Sequence, residues 1–110
     1  MKKYFLDGDQ KEIARRIICI DDRIRRKKLD RPTTAFDKKA VNAVLSADKR
    51  MELSDDILSK VRLNIVDRTR WEEIGDTYCC RNTFYHYCKK YRYYVAEAAG
   101  ITDKERKSHG

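Results

Sequence analysis

Residues 69–98 read TRWEEIGDTYCCRNTFYHYCKKYRYYVAEA, and the second half of that stretch decides the fold. From Cys79 to Tyr94 it holds three cysteines, six aromatic rings besides a histidine, four basic residues and no acid. A metal site, a buried helix and a surface built for nucleic acid all share that composition, and periodicity separates them. Phe84, Cys88, Tyr91 and Val95 recur at steps of four, three and four, the inward stripe of a helix from Arg81 to Ala98. Tyr87 and Tyr94 flank that stripe, and Gly100 suits the position just past the helix end. With about 100° between successive residues, the opposite face carries Asn82, His86, Lys89 and Tyr93, flanked by Tyr85 and Lys90. All of these can donate a hydrogen bond and none is acidic.

Working backwards, Thr69-Arg70-Trp71-Glu72 fits a capping box and predicts a short helix with Trp71 and Ile74 inward, joined to the basic helix by a turn of two or three residues. Ser54-Asp55-Asp56 is a helix start, with a capping hydroxyl and two carboxylates at the positive helix end. It opens a helix with Ile57, Leu58, Val61, Ile65 and Val66 on its apolar side. Before it, Thr33 and Thr34 open a helix from Ala35 to Arg50 whose apolar residues are Ala40, Val41, Val44, Leu45 and Ala47. At the front, Ile13, Ile17, Ile20 and Ile24 form one stripe of a helix over 10–28, capped by Asp7 or Asp9 and stopped by Asp30-Arg31-Pro32. That stripe either packs on the domain or pairs with a second copy in a homodimer through residues 13–24. The run Arg23–Lys28 is either a phosphate clamp or a solvated helix end. The reading is all-α, about five helices in a single domain over 1–100: the 10–28 helix, a helical core over 35–66, a helix-turn-helix over 69–98, and a flexible tail over 101–110.

Composition narrows the function. The 110 residues carry 26 Lys and Arg against 18 Asp and Glu, a net charge of +8, which favours a polyanionic partner. Four glycines and one proline are too few for an all-β chain of tight turns. No apolar run is long enough for a membrane span, and acids interrupt the opening MKKYFLDGDQ before any apolar segment forms. No signal peptide and no membrane contact are therefore expected, and the cytoplasm of a bacterial host, in association with the nucleoid, is the expected location. The four cysteines are expected to be free thiols there. Zinc on Cys79, Cys80, His86 and Cys88 is disfavoured, because adjacent cysteines rarely serve one tetrahedral site and Cys88 is accounted for by the apolar stripe. The carboxylate pairs Asp21-Asp22, Asp55-Asp56 and Glu72-Glu73 are sequence neighbours that diverge on a helix, and His86 has no nucleophile or orienting acid beside it. No enzyme, metal or cofactor is expected.

The segment 69–91 resembles the helix-turn-helix of sigma-factor region 4 and of small phage late-transcription regulators of the RinA and ArpU type. Trp71, Ile74 and Gly75 match the first helix of that pattern, and Arg81, Thr83, Phe84 and Tyr85 match the recognition helix. The sequence departs from it in lacking the usual turn glycine and in placing Cys80 where Ser or Thr caps the recognition helix. The resemblance implies a DNA-binding regulator encoded by a phage or prophage, with Arg81, Asn82, Tyr85, His86 and Lys89 toward DNA.

The expected function is therefore binding of double-stranded DNA by a transcriptional regulator of a phage or mobile element. Arg81, Asn82, Tyr85, His86, Lys89, Lys90 and Tyr93 form its surface, and RNA polymerase is a further candidate partner. Asn can read adenine, Lys and Arg can take guanine edges or phosphates, and Tyr and His can bond phosphate or stack. Two alternatives remain open: a DNA-packaging component of the small-terminase kind, and a protein-interaction module that does not bind DNA.

Overall fold

A computed structural model of the chain describes residues 4–26, 35–75, 77 and 79–101. The fold is all-α, with no strand among those residues. Its helices are α1 (Gly8–Arg26), α2 (Ala35–Met51), α3 (Asp55–Asp67), α4 (Trp71–Ile74) and α5 (Arg81–Ala98). The start and stop signals at Pro32, Thr33 and Thr34, and the 102–110 tail, lie outside the described residues.

The core is built around α5. Phe84, Tyr91 and Val95 are 0 % exposed and Cys88 is 1 % exposed, so the expected stripe is the buried one. Tyr94 joins it, with Tyr87 half-buried beside it. Against this stripe pack Ala40, Ala43, Val44, Ala47 and Met51 of α2, Ile57, Leu58, Val61 and Ile65 of α3, and Ile17 and Ile18 of α1. The helix ends by the expected device: Gly100 takes φ +80°, its N–H donates to the Glu97 carbonyl, and the Ile101 N–H donates to the Ala96 carbonyl. Ile101 then packs on a small second cluster of Leu6, Ala14 and Ala96, which joins the residues just after α5 to the segment just before α1. The Gln10 side chain also donates to the Ile101 carbonyl.

Two expectations need correction, and a third feature has no counterpart among them. The first concerns α1. It starts at Gly8, two residues early, because Asp7 and Gln10 cap each other: Asp7 Oδ1 accepts from the Gln10 N–H at 2.8 Å, and Gln10 Oε1 from the Asp7 N–H at 3.0 Å. Its buried residues are Ala14, Ile17, Ile18 and Asp21, so of the expected stripe of Ile13, Ile17, Ile20 and Ile24 only Ile17 is buried. Ile13 is 44 % exposed, and Ile20 and Ile24 are half-buried, so the helix is rolled away from its isoleucine seam. The roll turns Asp21 inward, where Arg25 Nε meets its Oδ2 at 2.6 Å. Burial pushes the Asp21 carboxyl above its usual pKa range, with Arg25 pulling it back. In α2 a smaller roll leaves Leu45 exposed and Val41 half-buried, while Ala43 turns inward.

The second correction concerns the chain before α5. Thr69 does not cap; Arg70 is the N-cap residue, and no side-chain cap bond forms. The Tyr85 hydroxyl instead accepts from the Trp71 N–H at 3.1 Å. The first helix of the expected helix-turn-helix is a single turn ending at Gly75, whose φ of +104° breaks the helix. A connection over 75–80 replaces the expected turn of two or three residues. It is held by the buried Thr77 hydroxyl, which accepts from Trp71 Nε1 and donates to the Cys79 carbonyl, both at 3.1 Å.

The third feature is a polar network across the core. Asp48 of α2 accepts from the Tyr91 hydroxyl at 2.7 Å, from Arg62 Nη2 at 2.8 Å and from Arg25 Nη2 at 3.4 Å. Arg62 Nε donates to the Tyr91 oxygen at 3.3 Å. One carboxylate therefore gathers side chains from all four long helices. The Ser54 cap stands as expected, with its Oγ accepting from the Ile57 N–H.

Candidate nucleic-acid interface

The outward side of α5 divides along its length. Arg81, Asn82, His86 and Lys89 are exposed, while Tyr85, Lys90 and Tyr93 are half-buried. No acidic residue lies in its first turn, so its N-terminal N–H groups and dipole meet no competing carboxylate of their own helix. The N-cap is Cys80, in extended conformation and without a side-chain cap bond to the helix. Its Sγ lies 3.3 Å from Thr83 Oγ1, and that hydroxyl holds the thiol below its usual pKa range.

Three of the seven expected contact residues serve the fold as well. Tyr85 caps α4 through its hydroxyl and packs edge-on against Phe84, with ring centroids 5.7 Å apart. It also carries the Arg81 guanidinium 5.8 Å from its ring centre. Tyr93 lies against the core and against Tyr4, ring to ring at 5.5 Å. Lys90 has its Nζ 5.7 Å from the Tyr4 ring and 5.8 Å from the Tyr94 ring. Tyr4 also meets His86 edge-on at 5.9 Å. The N-terminal segment thus covers the later turns of the face, a contact across more than eighty residues that helix periodicity cannot reveal. What stays open is the first half of α5: Arg81, Asn82, His86 and Lys89.

The basic run of α1 is largely engaged. Arg25 pairs with Asp21 and Asp48, and Arg26 with Asp22 at 2.7 Å and Asp67 at 3.0 Å. Arg15 donates to the Ile65 and Val66 carbonyls, closing the end of α3. Arg23 is exposed, and Lys27 and Lys28 lie outside the described residues. The clamp reading of Arg23–Lys28 therefore loses two of its members to the fold. The cysteines do not converge: Cys88 is buried, with its thiol pushed by burial up to about 12, Cys80 is exposed, and Cys19 and Cys79 are half-buried on different elements. Among the described residues no helix is long and apolar enough to cross a membrane, and no group of three or more His, Cys, Asp or Glu side chains could hold a metal ion.

Comparison with protein-family models, with curated proteins and with solved structures finds no match to this chain.

Proposed function

We propose that the chain binds double-stranded DNA with the first half of α5 in the major groove, as a regulator of transcription from a phage or mobile element in a bacterial cytoplasm. One observation carries the reading. Helix α5 is anchored by a fully buried stripe, yet its other side presents Arg81, Asn82, His86 and Lys89 to solvent with no acid among them. A rigidly held helix with a cationic, hydrogen-bonding outer face suits a groove whose edges are acceptors and donors and whose rims are phosphates. Arg81 and Lys89 would supply backbone affinity, and Asn82 and His86 would face bases.

The test is duplex binding followed across a salt series. The Arg81→Ala, Lys89→Ala double variant should bind all duplexes more weakly, with the slope of log affinity against log salt reduced by about 2. Asn82→Ala should instead relax preference at one base position, by about 1–3 kcal/mol. A double variant with unchanged affinity and slope would remove α5 from the interface.

A second reading, a module that pairs with a copy of itself, draws on a different surface. Ile13 and Phe36, 44 % and 56 % exposed, border an apolar groove of about 210 Å³ with Ile17, Ala40, Ala99 and Ile101. Lys39 of α2 lines it as well, and a two-fold axis would set this apolar patch against its own copy. Light scattering that gives a dimer together with no duplex binding at low salt would favour this reading over the first.

A further inference from the structure

Half-buried arginines in this fold have partners. Arg15 donates to two carbonyls, and Arg62 to Asp48 and Tyr91. Arg92 of α5 is the exception. It is half-buried, yet no carboxylate, carbonyl or ring among the described residues receives its guanidinium. Burial holds it below its usual pKa range, and its one electrostatic neighbour is the Cys88 thiol. That thiol, with its own pKa pushed up to about 12, carries no charge near neutrality. A partly desolvated cation without a counter-ion costs stability, and local rules broken in this way tend to mark functional sites.

The position of Arg92 says where that ligand would come from. Arg81, Tyr85 and Arg92 stand at i, i+4 and i+11, within about 40° of one another around α5. They form the strip between the buried stripe and the exposed Asn82–Lys89 side. Arg81 and Arg92 are separated by about 16 Å along the axis. From such a strip an arginine can lay its aliphatic stem along apolar surface and still offer its planar fork to a ligand at the edge of the face. That fork presents paired N–H groups at the spacing of two phosphate oxygens, which a lysine cannot do.

We propose that Arg92 is a phosphate-binding residue, which takes two oxygens of a backbone phosphate at the edge of the α5 face while Arg81 takes another farther along. The owner of that phosphate rests on the duplex-DNA reading above; the anion site rests on the geometry around Arg92 alone.

Two variants of the full chain separate these claims. Arg92→Met keeps an apolar stem and removes the charge, and Arg92→Lys keeps the charge and removes the fork. Thermal unfolding is followed in chloride and in inorganic phosphate at matched ionic strength, and duplex affinity over a salt series. In chloride the Met variant should melt higher than the parent chain, because an uncompensated charge is gone. Phosphate should raise the melting temperature of the parent and leave the Met variant unmoved. Duplex binding by the Met variant should weaken about tenfold, with a salt slope smaller by about 1. The Lys variant should keep the slope and lose affinity. A Met variant that melts lower than the parent and gains as much from phosphate would overturn the proposal. Equal duplex affinity and slope in parent and Met variant would also overturn it, while leaving duplex binding intact. Loss of the phosphate effect in a chain whose parent binds no duplex would support the anion site and overturn DNA as its owner.

Discussion

Phe84→Ala is expected to lower the stability of the fold by about 3–5 kcal/mol, a large part of the roughly 5–15 kcal/mol available to a small domain. Phe84 is 0 % exposed and among the largest fully buried side chains. Alanine in its place loses the transfer free energy of a phenyl group and leaves a cavity between α5 and the helices packed on it. The damage spreads by contact. Tyr85 leans edge-on against Phe84, and the Tyr85 hydroxyl holds the Trp71 N–H, so α4 loses its anchor as well. In urea, with a slope of about 1–3 kcal/mol per molar, the midpoint should fall by more than about 1 M. Phe84→Leu, which refills most of the space, should move it far less. An alanine variant that melts with the parent chain would mean that α5 is not seated as described.

Asp48→Ala is expected to cost about 3–5 kcal/mol by another route, the stranding of buried partners. The Asp48 side chain is 17 % exposed and that of Arg62 13 %. Removing the carboxylate leaves a desolvated guanidinium and the Tyr91 hydroxyl, at the centre of the core stripe, without their acceptor. The double variant Asp48→Ala, Arg62→Met should then be more stable than Asp48→Ala alone, because the stranded charge is gone as well. Chemical denaturation of the two variants reads the difference. If the double variant were the less stable, the network would be a set of independent surface contacts.

Those two residues also mark what the sequence could tell. Phe84, Cys88, Tyr91 and Val95 were legible because a long helix with one buried side writes its period into the chain, and Ser54 and Gly100 because caps need particular backbone chemistry. Asp21, Asp48 and Arg62 were not, since a charge buried against a partner on another helix looks like any solvated charge. The same blindness misplaced α1, where a regular isoleucine seam hid a rotation that buries Ala14, Ile18 and Asp21 instead. Gly75 was read as part of the first helix, and neither its break nor the hold of Thr77 on Trp71 and Cys79 was legible, so the expected connection is too short. Of the expected contact residues, Arg81, Asn82, His86 and Lys89 are open. Tyr93 and Lys90 are shared with Tyr4, which lies far away in sequence, and Tyr85 with a backbone N–H across a turn.

The packing of Tyr4 has a practical consequence for handling the protein. A label on Phe5, which is exposed and follows Tyr4 directly, would sit near His86, Lys90 and Tyr93, close to the open turns of α5. Such a label is itself a probe of whether that face is occupied.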